Sequence, residues 1–284
     1  MKKNILFALF FILSFVMVSP PALAAHPLQL VVDGVVVKTD ISPEMKNNRL
    51  MVPLRVVSEN LGAQVKWAGP YVTLTKKNLN VTIAKNNFTA VKNGKTIALD
   101  AKPYLKNNRL FVPLRFVAET LGCSVGYQNS TVTVNASPLI IDGVKINTLQ
   151  QEYHMTMGGV VQHVYGSAYN ESIYNLIVSN SGAVVEEPAE YDWFFYLDNP
   201  GSYYKRGQYD FLDKDGKTIR RFDIYTRNNA FPAEMLVSYP KFLVYDATTD
   251  KWRLFGDTAN QNIWNVMDNA FKNGFVKIIS DTVV

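Results

Sequence analysis

Cysteine and histidine are scarce in this chain, and their scarcity excludes several classes of protein. The 284 residues include one cysteine, Cys123, so an internal disulfide framework is excluded. The three histidines leave little room for a multi-histidine metal site. His154 and His163 are nine residues apart, which matches no recurrent zinc spacing. We therefore expect no metal site and no cofactor.

The chain also lacks an apolar run long enough to cross a bilayer. Its longest run covers residues 5–18, whereas a transmembrane helix needs about 20 apolar residues. Two lysines precede this run and Ala22-Leu23-Ala24 follows it, which is the pattern of a secretory signal peptide over residues 1–24. We expect cleavage after Ala24 and a secreted protein, extracellular or cell-wall-associated. Cleavage one residue later would place His26 at the N-terminus, where amine and imidazole can chelate copper.

Neither charge sign dominates the whole chain, whose formal net charge is +5, but the charges are unevenly distributed. Residues 26–137 carry 14 Lys/Arg and 6 Asp/Glu, whereas residues 138–284 carry 13 and 18. Aromatic residues number seven in the first segment and 24 in the second. These changes predict a boundary between domains 25–137 and 138–284. Export and the acidic second half argue against a nucleic-acid partner.

The first domain contains an internal repeat at an offset of 60 residues, with 19 identities over 44 aligned positions. Each copy predicts a short strand, a helix that begins at a proline and ends at a glycine, and then a β-hairpin. This pattern predicts an antiparallel sheet wrapped on short helices. The duplicated unit is therefore expected to be α+β. The longest matching segments are Lys46-Asn47-Asn48-Arg49-Leu50 with Lys106-Asn107-Asn108-Arg109-Leu110, and Val52-Pro53-Leu54-Arg55 with Val112-Pro113-Leu114-Arg115.

This pattern resembles the copper amine oxidase N-terminal-like domain, also called the stalk domain, of exported proteins of Gram-positive bacteria. The resemblance covers residues from about 29 to 136 and implies a non-catalytic appendage, because the copper and quinone of that family belong to another domain. The chain has no His-x-His pair, and its nearest match to an Asn-Tyr-Asp/Glu quinone precursor is Glu190-Tyr191-Asp192. We therefore expect no catalytic residue and no amine oxidase activity.

The second domain resembles no family that we recognise, and its patterns predict another α+β unit. Asp213 and Asp215 open a calcium-loop pattern that lacks its closing glutamate, so a hairpin turn is the better interpretation. The predicted elements are a short helix around Ile173, a strand over Asp192 to Leu197, hairpins around residues 213–216 and 247–250, a helix over Asn262 to Phe271 and a strand over Phe275 to Ile279.

Two sets of side chains are predicted to contact ligands. An ordinary solvated surface is the alternative for the first set, and core packing is the alternative for the second. The first set is basic, would contact an anionic cell-wall polymer or peptidoglycan, and consists of Lys46, Arg49, Arg55, Lys106, Arg109 and Arg115. The second set would form an aromatic binding face and consists of Tyr203, Tyr204 and Trp252.

Together these features favour a secreted, non-catalytic cell-surface or cell-wall-associated binding or scaffold protein with a C-terminal interaction domain. One alternative is a cell-wall-active enzyme with its catalytic site in the C-terminal domain. A free secreted interaction protein is the other. The basic and acidic domains could also fold against each other, which would give a compact body.

Overall fold

The computed structural model describes residues 28–194 and 199–283. Strands contain 47% of these residues and helices 19%, arranged in several sheets with few short helices, consistent with the expected α+β class. The predicted signal peptide and His26 lie outside the described residues. Within the described ranges, no helix combines the length and the apolar character that crossing a bilayer requires.

The elements follow one another closely along the chain. In the first segment they are β1 (Gln29–Val32), β2 (Val35–Val36), β3 (Glu44–Lys46), β4 (Arg49–Pro53), α1 (Leu54–Asn60), β5 (Gln64–Ala68), β6 (Tyr71–Lys76), β7 (Leu79–Ala84), β8 (Thr89–Lys92), β9 (Lys95–Ala98), β10 (Tyr104–Lys106), β11 (Arg109–Pro113), α2 (Leu114–Thr120), β12 (Ser124–Gln128) and β13 (Thr131–Asn135). In the second they are β14 (Ile140–Ile141), β15 (Val144–Lys145), β16 (Thr148–Met155), β17 (Gly158–Val164), α3 (Ser167–Ser179), β18 (Ser181–Val185), β19 (Tyr191–Asp192), β20 (Tyr203–Leu212), β21 (Thr218–Arg227), α4 (Ala233–Leu236), β22 (Phe242–Asp246), β23 (Lys251–Phe255), α5 (Asp257–Lys272) and β24 (Val276–Asp281).

The first segment contains three sheets and not the single antiparallel sheet that the repeat predicts. Their strand orders are β12-β13-β1-β2, β10-β11-β4-β3 and β5-β6-β7-β8-β9. The pair of β1 and β13 is parallel and joins the beginning of the segment to its end. Turn residues specify only local antiparallel pairs, so the sequence pattern carries no signal for this long-range pairing.

Both predicted repeat helices are confirmed, and both have the same ends. Pro53 and Pro113 precede α1 and α2 with φ of −62° and −59°. Gly62 and Gly122 follow them with φ of +78° and +74°, a conformation that glycine adopts without strain. The two helices contact each other, and β4 pairs with β11 so that Val52 lies opposite Val112. The two copies of the repeat therefore face each other across β4 and β11.

The second segment is built on a nine-stranded sheet with the order β18-β23-β22-β21-β20-β16-β17-β24, with β19 beside β20. The helices α3 and α5 contact each other, and Tyr174 of α3 packs edge-on against Phe211 of the sheet at 5.3 Å. Both predicted hairpins are confirmed as β20–β21 and β22–β23. Both predicted helices are present and longer than expected, because α3 and α5 begin before their apolar stripes.

The predicted strand over residues 192–197 is wrong in its first half. Only Tyr191–Asp192 pairs with β20, and residues 193 and 194 bend away, while 195–198 lie outside the described residues. The Asp192 carboxylate accepts the N–H of Trp193 at 2.6 Å, and this local hydrogen bond competes with strand pairing. Trp193 and Phe194 therefore do not continue the strand.

The two segments pack against each other through one continuous core. This core joins residues of the first segment, such as Leu61, to residues of the second, such as Phe275. Polar contacts cross the same boundary. The Asp33 carboxylate accepts the N–H of Ser167 at 2.8 Å, and Lys77 pairs with Glu171 at 2.6 Å.

Gly62 and Gly122 provide a matched test of this packing. A side chain is strained at both positions because φ is positive, but a Cβ added to Gly62 would lie 3.4 Å from Cβ of Ala168 in α3, whereas one added to Gly122 would meet nothing within 4 Å. We expect Gly62→Leu to lower the free energy of unfolding by about 1–3 kcal/mol more than Gly122→Leu, measured by urea denaturation. Equal losses would contradict packing of the two segments at this point.

Candidate functional site

Two grooves on the first segment are built from equivalent positions of the two repeat copies. Groove A has a volume of about 420 Å³ and groove B of about 330 Å³. Nine lining positions of groove A recur in groove B at an offset of 60 residues, with the roles of the two copies exchanged. These pairs are Asp40 and Asp100, Pro53 and Pro113, Leu54 and Leu114, Arg55 and Arg115, Val65 and Val125, Trp67 and Tyr127, Asn108 and Asn48, Arg109 and Arg49, and Leu110 and Leu50.

The antiparallel pair of β4 and β11 explains why each groove draws on both copies. It places the Asn-Asn turn of one copy beside the Pro-Leu-Arg segment that opens the helix of the other copy. Asn47 and Asn48 have φ of +49° and +57°, as a two-residue type I′ hairpin turn requires, and Asn107 and Asn108 repeat these values within 1°. The two halves of the repeated motif therefore meet across the interface between copies.

In each groove an arginine of one repeat copy forms an ion pair with an aspartate of the other copy, and the two aspartates occupy equivalent positions of the repeat. Arg109 pairs with Asp40 at 2.7 Å in groove A, and Arg49 pairs with Asp100 at 2.6 Å in groove B. The second arginine of each groove belongs to a helix and lies 3.9 Å from a glutamate one turn later, as Arg55–Glu59 and Arg115–Glu119. Each of the four guanidinium groups thus has a carboxylate within 4 Å, which offsets part of its charge.

The six basic residues predicted to contact an anionic polymer are divided between the two grooves and a pair of lysines outside both. Arg55 and Arg109 line groove A, Arg49 and Arg115 line groove B, and the two lysines line neither. Lys106 pairs with Glu44, and this bond and the one from Tyr104 lower the pKa of the Glu44 carboxyl. Lys46 lies 3.8 Å from the centre of the Tyr104 ring. Five of the six therefore have a carboxylate within 4 Å, and polymer binding by them stays a prediction.

An exposed aromatic ring is the feature of these grooves that the sequence pattern did not single out. Trp67 is 43% exposed and Tyr127 is 66% exposed, although they stand in β5 and β12, which contact the repeat helices α1 and α2. Each shares a strand face with Val65 or Val125, and each lines its groove beside an apolar leucine. An aromatic residue at the same place in both copies is the sequence signal that could have identified them.

The predicted aromatic binding face is not formed by the residues proposed for it. Tyr203 is 3% exposed and Trp252 is 5% exposed, and they belong to a small core cluster with Tyr225. The ring of Tyr191 covers Trp252 at 4.8 Å between ring centres. Tyr204 is half-buried and points to the other side of the sheet, because neighbouring residues of a strand face opposite sides. Core packing, the alternative interpretation, describes Tyr203 and Trp252.

A buried charge cluster lies on the same side of the nine-stranded sheet. Lys205 pairs with Asp223 at 2.8 Å, and Arg221 donates two hydrogen bonds to that carboxylate at 3.0 and 2.8 Å. Burial raises the pKa of the neighbouring Asp210, although its hydrogen bond from Gln208 opposes the shift. Because Lys205 and Arg221 both bind the carboxylate of Asp223, the arrangement is that of a structural ion cluster.

The two described histidines and the cysteine each have different neighbours. His154 contacts Glu152 at 2.9 Å and His163 contacts Gln150 at 3.1 Å, in different parts of β16 and β17. Cys123 is buried, and burial raises the pKa of its thiol. No group of three His, Cys, Asp or Glu side chains that could hold a metal occurs in the part of the chain that the structure describes.

Apart from Asn273, which lines groove A, the residues of both grooves lie in a segment that matches a known family. Residues 31–136 match the copper amine oxidase N-terminal domain family. This match confirms the resemblance seen in the sequence, and it concerns the non-catalytic domain of that family. The remainder of the chain has no family match.

A curated relative adds a second comparison. A protein named "Protease inhibitor" from Brevibacillus choshinensis is 34% identical over 115 residues, which is 39% of this chain and 35% of that protein. The chain therefore aligns with about a third of the length of this relative.

Proposed function

We propose that the protein is exported and acts as a non-catalytic binding protein that attaches to cell-wall polymer through grooves A and B. The observation that carries this proposal is the recurrence of nine lining positions in two grooves, each with an exposed aromatic ring. The match of residues 31–136 to a non-catalytic domain supports the absence of an enzymatic role. Export rests on the signal-peptide pattern of residues 1–24.

The lining of each groove suits a polymer made of polar rings. An exposed aromatic ring beside leucine and valine offers an apolar surface, and the arginine–aspartate pair offers fixed N–H donors and carboxylate acceptors. Two such grooves on one domain make the second contact with a repeating polymer intramolecular. Binding to the polymer is then tighter than binding to one repeat unit.

The two forms of the wall hypothesis differ in their dependence on salt. Docking of basic residues onto an anionic polymer weakens as ionic strength rises, because exposed charges are screened. Recognition by grooves whose arginines are already paired depends mainly on contact with the rings. We expect binding to purified cell walls to persist after teichoic-acid removal and to change little across a salt series.

Replacement of the two exposed rings tests this proposal. We expect Trp67→Ala and Tyr127→Ala each to weaken wall binding about 10-fold and the double variant about 100-fold, because each removes one contact worth about 1.4 kcal/mol. Sedimentation of the chain without residues 1–24 with purified walls measures this affinity. Tyr71→Ala is the matched control, since Tyr71 is 50% exposed and lines neither groove, and its binding should be unchanged. Unchanged binding of the double variant would refute attachment through the grooves.

Protease inhibition is a second candidate function, because the curated relative carries that name. We propose it as the alternative to wall attachment, and it is tested by titrating serine, cysteine, aspartic and metalloproteases with the full chain. Stoichiometric inhibition of one class would support it. Activity of every protease in the presence of excess protein would contradict it.

A further inference from the structure

Groove A continues into a larger depression between the two segments, which we call groove C. Groove C has a volume of about 540 Å³ and shares Glu59 and Asn273 with groove A. Its walls come from α1, β5 and β6 of the first segment and from α3 and α5 of the second. Groove B has no such extension, since its lining contains no residue of the second segment.

The walls of groove C are rich in neutral amide side chains. Four asparagines at positions 262, 265, 269 and 273 of α5 and its C-cap lie on one helix face, because their spacings of three and four residues repeat the helical turn. This row is about 16 Å long at 1.5 Å per residue. Gln64 and Asn175 add two more amides from β5 and α3.

Most of these amides have no hydrogen-bond partner among the described residues. The side chains of Asn175, Asn262 and Asn269 make no hydrogen bond there to another protein group. Asn265 accepts one from Gln261 at 3.3 Å, and Asn273 donates one to the hydroxyl of Tyr169 at 3.1 Å. The charges of groove C balance, because Lys77 pairs with Glu171 and the remaining Lys76 and Glu59 have opposite signs. A ligand that fills this groove is therefore polar and carries no strong net charge.

We infer that grooves A and C together bind an unbranched, uncharged oligosaccharide, with one sugar ring on Trp67 and the following rings along the asparagine row. The inference rests on the proposed function and names the ligand class of that site. An amide both donates and accepts hydrogen bonds, as does a sugar hydroxyl, so a row of amides matches a chain of sugars at any register. An extended peptide would require alternating side-chain pockets, whereas this lining repeats amides at each turn of α5.

The difference between grooves A and B leads to a dependence on ligand length. A disaccharide fills only the part of the site around Trp67, and it would bind groove B in the same way at Tyr127. A longer chain gains contacts only at groove A, because only groove A opens into groove C. Affinity for oligosaccharides should therefore rise with length at one of the two sites.

Titration calorimetry with N-acetylglucosamine oligomers tests the inference on the chain without residues 1–24. We expect the hexamer to bind at least 10-fold more tightly than the dimer. The triple variant Asn262→Ala/Asn265→Ala/Asn269→Ala should lose this gain and retain dimer binding. Asp268→Ala is the control on the same helix, because its carboxylate is exposed, pairs with Lys272 and lines neither groove A nor groove C, and it should bind the hexamer as the unmodified chain does. Thermal unfolding of each variant checks that it is folded.

Equal affinity for dimer and hexamer, or hexamer binding unchanged in the triple variant, would overturn the inference. So would displacement of the bound hexamer by a peptidoglycan stem peptide at equal concentration, because the groove would then be a peptide site. Wall binding that depends on Trp67 and Tyr127 but not on the asparagine row would leave the proposed function intact and overturn only this inference. Wall binding that depends neither on Trp67 and Tyr127 nor on the asparagine row would overturn both the proposed function and this inference.

Discussion

Replacement of Asp223 by alanine is expected to lower the free energy of unfolding by about 3–5 kcal/mol, because it leaves the buried ammonium group of Lys205 without its counter-charge. The Asp223 side chain is 2% exposed and that of Lys205 is 9% exposed. The variant also removes the acceptor of two hydrogen bonds from Arg221. Urea denaturation followed by tryptophan fluorescence measures the loss.

Two further variants separate the buried charge from the loss of side-chain volume. Asp215→Ala removes a carboxylate that is 68% exposed and paired only with Lys214, so its effect should stay within about 0.5 kcal/mol. The double variant Lys205→Met/Asp223→Leu removes both buried charges and should be less destabilised than Asp223→Ala. If the double variant is the less stable of the two, the cluster stabilises the fold through its ion pairs, and unpaired buried charge does not account for the loss in Asp223→Ala.

Elements whose signals are local could be predicted from the sequence. The proline before α1 and the glycine after it define that helix by backbone geometry alone, and so do their counterparts in the second copy. The turn at residues 213–216 is local as well, since the Asp213 carboxylate accepts the N–H groups of Asp215 and Lys217 at 2.9 Å. Each of these contacts lies within a few residues of the sequence signal that predicts it.

Pairings between distant strands could not be predicted in the same way. The alternating pattern of β1 and β13 is that of two half-buried strands, and it is compatible with any partner and either direction. Their parallel pairing is decided by the closure of the first segment, which no hairpin turn encodes. The division of its strands among three sheets has the same origin.

The candidate site was predictable in its residues but not in its arrangement. The repeat identified four arginines, and Asp40 and Asp100 were among its identical positions. Their pairing joins Arg109 to Asp40 and Arg49 to Asp100, across the interface between the copies. Comparison of one copy with the other reveals shared residues, whereas contacts between the copies depend on how β4 and β11 align. Five of the six basic residues assigned to a polymer ligand therefore have a carboxylate within 4 Å, although the segment as a whole keeps its excess of lysine and arginine.

Burial of Tyr203 and Trp252 illustrates the corresponding limit in the second segment. Strand periodicity places both side chains on one side of a sheet, but it does not decide whether that side is exposed or covered. The ring of Tyr191 contacts Trp252 and Tyr225 on that side, and the course of the chain there depends on the pairing of β19 with β20 and not on its own periodicity. Aromatic content alone therefore did not distinguish a binding face from a core.

Tyr169 is the residue through which the two segments are expected to be most strongly coupled, and Tyr169→Ala should cost about 3–5 kcal/mol. The side chain is 6% exposed, its ring packs on Phe275 at 4.9 Å, and its hydroxyl donates to the Asn60 carboxamide oxygen at 2.7 Å. Burial raises the pKa of Tyr169 to about 12, so the hydroxyl keeps its proton and remains a donor at neutral pH. Asn60 is itself buried, and its amide nitrogen has no partner among the described residues.

A graded pair of variants distinguishes packing from hydrogen bonding at this contact. Tyr169→Phe keeps the ring and deprives Asn60 of its donor, so it should cost about 1–3 kcal/mol. Tyr71→Ala, on an exposed part of β6, should change stability by less than about 0.5 kcal/mol. Because one core spans both segments, the unmodified chain should unfold in a single calorimetric transition, and Tyr169→Ala should separate it into two. A single transition with an unchanged midpoint in Tyr169→Ala would show that this contact does not couple the segments.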